Sequence, residues 1–148
     1  GLDSSEKDSQ ELVKSFLNIM LENKSDYTLS FRYLSQSLEG GKEDRLKGQF
    51  KKHEKLNVWL QKWIKTLESR NLNKKDVVNK MNKTNPLFIP RNHLLERIID
   101  AATRDNDFSQ MKTLLKIFGN PYKEQPENEA YSEPPTSDEI VKQTFCGT

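Results

Sequence analysis

The chain has 148 residues, a formal charge of +2, 31% charged residues and 33% hydrophobic ones. That length is enough for one domain with its own core. So small a charge names no polyanionic partner, and no apolar stretch reaches the roughly 18 residues a membrane helix needs, so no membrane contact is expected. No secretory signal opens the chain. Its single cysteine, Cys146, excludes an internal disulfide and fits a reducing, cytoplasmic setting.

Residues 1–9 are small and polar and begin with Gly1 in place of Met. They read as a disordered start, or as the cut end of a longer chain with a tag remnant. Asp8 and Glu11 fit a capping box ahead of a first helix carrying Leu12, Val13, Phe16, Leu17, Met20 and Leu21 at helical spacing. A break at Asn23–Ser25 precedes a second helix from Asp26, with Tyr27, Phe31, Leu34 and Leu38 expected on one face. Gly40-Gly41 ends it.

Residues 43–69 form the longest periodic segment. Leu56, Trp59, Leu60, Trp63, Ile64 and Leu67 make one apolar stripe with both tryptophans on it, while Lys55, Lys62 and Lys65 fall outside. Gly48 leaves the continuity of this segment open. Asn73 caps a shorter helix through Val77, Val78 and Met81 that ends before Asn85-Pro86.

Pro86 and Pro90 both lack an N–H and favour extended geometry in the residue before them, so residues 85–90 should not be helical. Leu94, Leu95, Ile98, Ile99 and Ala102 follow as one helix face. Asp107 and Gln110 fit a second capping box before Met111, Leu114, Leu115 and Phe118, with Gly119 and Pro121 as the stop. The two segments are expected to form a helical hairpin. Residues 120–148 hold four of the six prolines and lose periodicity. They read as an extended tail, draped over the body through Tyr122, Tyr131 and Phe145 or disordered.

The expected fold is all-α: five or six amphipathic helices, a helical domain over 10–119, and an extended Pro-containing C-terminal tail over 120–148. The expected core is Leu56, Trp59, Leu60, Trp63, Leu94, Leu95, Ile98, Leu114 and Leu115.

Chemistry-bearing patterns are few. Residues 42–83 hold thirteen Lys and Arg against five Asp and Glu. This is either a phosphate or nucleic-acid surface or the solvated face of amphipathic helices. With the aromatics on the buried stripe and no recognised motif, nucleic acid is the weaker reading. His53 and His93 have no metal-ligand spacing around them, and no nucleophile–His–acid set or Gly-rich phosphate loop can be picked out. No catalytic, cofactor-binding or metal residue is therefore assigned. Arg91-Asn92-His93 is a dense polar cluster at a helix start. It is either a contact to a substrate or partner domain, or a cap with a buried Arg that ties the tail down. Cys146, in the terminal Thr-Phe-Cys-Gly-Thr, is either a redox-active thiol or an unremarkable exposed cysteine.

Several ordered motifs resemble the selenoprotein O (YdiU) family, in its C-terminal region. They are Asp26-Tyr27-Thr28, Phe31-Arg32, Leu34-Ser35, Trp59, Trp63, Asn85-Pro86, Pro90-Arg91-Asn92-His93, Glu96, Ala101-Ala102, Asp107-Phe108, Leu114-Leu115, Pro121-Tyr122, Gln125-Pro126, Tyr131, Pro134-Pro135 and Thr144-Phe145-Cys146-Gly147-Thr148. The resemblance spans about residues 26–148. It implies a kinase-like (pseudokinase) parent that binds ATP in an inverted sense, uses Mg or Mn, and transfers AMP to Ser, Thr or Tyr hydroxyls of protein substrates. No kinase Gly-rich loop, Lys–Glu pair, catalytic loop or metal-binding Asp motif occurs here. The resemblance therefore implies a non-catalytic helical extension that packs on an N-terminal kinase-like core and holds no cofactor itself. It also implies that Cys146 occupies the position of a terminal selenocysteine or cysteine, with any partner thiol elsewhere. Where the family commonly has Gly-Asp, this chain has Asn106-Asp107. Asn tolerates a left-handed turn, so the fold should survive. The alternative is a stand-alone helical protein-interaction module using its basic face or its tail.

Overall fold

The computed structural model describes residues 2, 5–40 and 43–141. Among them are seven α-helices, three short 3-10 helices and no strand, which is the all-α class read from the sequence. The helices are α1 (Lys7–Asn23), α2 (Tyr27–Gln36), α3 (Glu43–Lys47), α4 (Glu54–Ser69), α5 (Lys74–Thr84), α6 (Asn92–Asp105) and α7 (Ser109–Phe118). The chain divides into two compact units, residues 1–85 and 86–148.

In the first unit α1 packs on α4, and α2 packs on α3 and α5. The centre is aromatic. Phe16 lies 4.4 Å from Trp59 between ring centroids, Trp59 stacks on Trp63 at 5.7 Å, and Phe31 meets Phe16 edge-on at 5.4 Å. Trp59 also fixes the α1–α4 contact by a polar bond. Its Nε1–H donates to the Leu12 carbonyl at 2.8 Å, and Ser15 Oγ lies 3.1 Å away. An indole N–H would otherwise be a buried orphan, so this bond sets the register of the pair as well as its packing.

The α4 stripe is buried as expected, from Leu56 through Trp59, Leu60 and Trp63 to Leu67, with Ile64 half-buried. Gly48 separates this helix from the five-residue α3, so the segment is two helices, and the total exceeds the five or six expected. Asn73 caps α5 as expected. Its side-chain oxygen accepts from the N–H groups of Lys75 and Asp76 at 2.9 and 3.3 Å. Asp26 caps α2 by accepting from Leu29 N–H at 2.8 Å.

Other expectations are corrected. Asp8 lies inside the first turn of α1, and the N-cap position belongs to Glu6, which makes no side-chain cap bond. α2 is not one-sided. Leu29, Ser30, Arg32, Tyr33, Leu34, Ser35 and Gln36 are all buried, whereas Tyr27 is 65% exposed. A helix packed against partners on more than one side buries polar residues too, provided they find bonds. Ser35 Oγ accordingly bonds the Arg32 carbonyl and Asn82 Oδ1.

In the second unit, residues 85–91 are non-helical as expected. The bend is pinned to the start of the tail, where the Leu87 and Phe88 N–H groups both donate to the Pro121 carbonyl at 2.8 and 3.2 Å. Asn106 adopts the left-handed conformation (φ 53°) that ends α6, as its type allows. The capping box at Asp107–Gln110 does not form. Asp107 instead makes a local turn, accepting from Ser109 N–H at 2.8 Å and Ser109 Oγ at 3.0 Å. Leu94 and Leu114 are buried, but Leu95 and Leu115, expected in the core, are 37% and 63% exposed. Ile117 takes the buried place on α7.

The tail over 120–141 contains no α-helix and winds through 3-10 helices at Pro126–Tyr131 and Ser137–Glu139. Gln125 Nε2 donates to the Ile117 and Asn120 carbonyls at 3.1 Å each, capping the end of α7. Tyr122 is exposed and is no anchor, Tyr131 is half-buried, and Ser132 is fully buried. Phe145 lies outside the described residues.

Candidate functional site

The polar cluster at the start of α6 is the sequence-predicted site that the structure describes. Arg91 sits at the N-cap in extended geometry, and its carbonyl accepts from the Leu94 and Leu95 N–H groups. Arg91 and His93 are both buried, whereas Asn92 points to solvent. The three residues therefore do not act as one outward patch. His93 Nδ1 is buried and makes no hydrogen bond. Burial of the ring, then the charges of Arg97 and Arg91, push the His93 pKa below its usual 6.5. The imidazole is therefore held neutral.

A cleft beside the cluster is lined by Pro90, Arg91, Asn92 and His93 from one side and Pro135, Glu139 and Ile140 from the tail. Glu139 spans it. One carboxylate oxygen pairs with Arg97, and the other accepts from Thr136 N–H at 2.9 Å within a capping box. Arg97 was missed in the sequence, although Thr-x-x-Glu at 136–139 is a capping-box signature and Arg97 lies one turn beyond His93. Chemically this is a clasp between α6 and the tail. Arg97 already faces a carboxylate, and His93 Nδ1 meets no hydrogen-bond partner among the described residues.

Cys146 lies outside the described residues. Among the described residues, no group of three or more His, Cys, Asp and Glu could hold a metal ion. Of the basic residues over 42–83, Lys47 pairs with Glu43, Lys55 with Glu22, Lys74 with Glu68 and Arg70 with Glu6. A gap in the first unit is lined by Phe16, Phe31, Leu34, Trp59, Trp63 and Met81, together with the polar Lys80, Thr84 and Asn85. No described helix is long and apolar enough to cross a membrane.

Comparison with known proteins gives these features a context. A sequence model described as "Protein adenylyltransferase SelO" matches residues 1–118. The "Protein nucleotidyltransferase YdiU" of Maridesulfovibrio salexigens is 46% identical over 143 residues, covering 97% of this chain and 29% of that protein. The protein of the same name from Rhizobium meliloti is 42% identical over 149 residues, covering 100% of this chain and 30% of its own length. That of Bradyrhizobium diazoefficiens is 36% identical, with 97% and 29% covered. The match reaches residue 1, beyond Asp26 where the motif resemblance begins, so α1 is family sequence too. The chain spans about 30% of the length of these relatives, and it belongs to the SelO/YdiU family of protein nucleotidyltransferases.

Proposed function

We propose that these 148 residues are the helical, non-catalytic part of a protein adenylyltransferase that moves AMP from ATP to Ser, Thr or Tyr hydroxyls of other proteins. The observation that carries this reading is the whole-chain match to nucleotidyltransferases of which the chain makes up only 29–30%. AMP transfer joins a hydroxyl oxygen to the α-phosphorus of ATP and releases pyrophosphate. It requires groups that bind a triphosphate and its divalent metal, Mg or Mn. On this reading ATP, metal and protein substrates are handled by a kinase-like core supplied by the rest of the polypeptide. The present residues pack on that core, in the cytoplasm, with Cys146 as a thiol available to regulation. Nucleic acid and membrane have no part in it.

The test is transfer of label from ATP labelled at the α-phosphate. The complete gene product should label a protein acceptor, and the 148 residues alone should not. Robust labelling by the 148 residues alone would overturn the proposal. A second reading, a free-standing interaction module, draws on the uncovered apolar residues of α1, α6 and α7. It requires that the cell make a product of this size.

A further inference from the structure

The apolar arc of α1 is wider than the part that is buried. Phe16, Ile19 and Met20 are buried, and α4 covers that side. Val13, Leu17 and Leu21 recur every four residues along its flank, starting beside Phe16 and Trp59 at Val13, and are 40%, 37% and 78% exposed. Spacing of four along a helix aligns side chains in one row, so these three make a continuous strip. Tyr27, 65% exposed, joins it across a shallow groove floored by Met20 and edged by Lys24. An apolar arc wider than the packed part leaves a flank that a further layer can cover, and among the described residues α4 is the helix in extensive contact with α1.

We propose that this outer face of α1, with Tyr27, is the seat of the polypeptide that accompanies these residues in a relative-length protein, docked in cis. The proposal rests on the reading that the native protein is as long as its relatives. What selects this occupant is the coverage. Every relative described above contains α1, since 97–100% of this chain is matched, and each carries more than twice as much additional chain. A segment tethered to the face competes at an effective concentration of about millimolar, well above any free partner. The groove suits a helix that places apolar side chains one turn apart into it, with an acidic residue facing Lys24.

Hydroxyl-radical footprinting read by mass spectrometry tests the proposal on the complete gene product and on the 148-residue chain. Leu17, Leu21 and Tyr27 should label several-fold more slowly in the complete product. Equal labelling in a longer, AMP-transferring product would overturn the docking proposal and leave the enzymatic reading intact. A native product of only these 148 residues would overturn both. Protection in the isolated chain that grows with its concentration would assign the face to a second copy, and would also overturn the proposal. Leu21→Asp adds a second readout. It should leave the thermal midpoint of the 148 residues unchanged and lower that of the complete product, and an unchanged midpoint in both would count against the docking.

Discussion

Arg32 offers the sharpest test of how the first unit is held together. It is 2% exposed on α2, and its Nη1 donates to the Asn82 carbonyl at 3.1 Å and the Asn85 carbonyl at 3.4 Å. These carbonyls lie at the end of α5, where the chain leaves the helix towards Pro86 and the last-turn oxygens have no intrahelical donor. The guanidinium thus closes the C-terminus of one helix from the body of another. Arg32→Met keeps most of the packed volume and removes both bonds. Leaving a buried acceptor unsatisfied costs about 1–3 kcal/mol. The Asn85 contact is long and counts at the low end, and release from burying a charge offsets part of the loss. The net expectation is a loss of about 1–3 kcal/mol. Arg32→Lys should fall between, because the shorter stem keeps a cationic donor but does not place it where Nη1 sits. The assay is urea unfolding followed by tryptophan fluorescence, since Trp59 and Trp63 both report the first unit. An Arg32→Met midpoint within about 0.5 kcal/mol of the parent would refute the clasp, since that is the scatter of ordinary surface substitutions.

Leu56 is fully buried, and Leu56→Ala should cost about 2–5 kcal/mol by the same assay through lost transfer energy and a residual cavity. Trp59→Phe removes the indole N–H and leaves the Leu12 carbonyl short of one donor, so a loss of about 1–2 kcal/mol is expected. Asn73→Ala removes the α5 cap and should cost about 1 kcal/mol, with the loss restored by Asn73→Asp. For His93 the folded pKa is below 6.5, so between that lower value and 6.5 the unfolded chain binds more protons. Its contribution to stability is complete above 6.5 and is lost as pH falls through this window. Unfolding midpoints measured down the window should drop, and His93→Gln should flatten the drop.

The legible parts of this fold were the one-sided ones. On α4 the buried stripe and the lysine face alternate cleanly, so periodicity alone located Leu56, Trp59, Trp63 and Leu67. Asn73 and Asp26 were readable because a cap is a local device that uses only a few neighbouring residues. α2 was misread because Ser35 and Arg32 are buried by bonds to partners some fifty residues away, which no hydrophobic pattern reveals. On α6 and α7, periodicity marked apolar faces correctly but could not say which half of each arc is covered. Leu95 and Leu115 therefore sit outside while Ile117 sits inside. In the tail, aromatic residues suggested anchors, yet Ser132 and Gln125 hold it through backbone carbonyls of nearby turns. At the candidate site, Arg91 and His93 were found from their density, whereas Arg97 was not. Its partner Glu139 is far along the chain, and an exposed-looking arginine in a helix gives no local sign of pairing.

The central claim is that these residues serve a longer nucleotidyltransferase. The most direct measurement is the mass of the native product, by antibody against this chain on lysate of the source cells. The account predicts a band roughly three times heavier than the 17.3 kDa of these residues, in keeping with their 29–30% share of the relatives. A single band near 17.3 kDa would contradict it and leave an independent helical interaction module in its place.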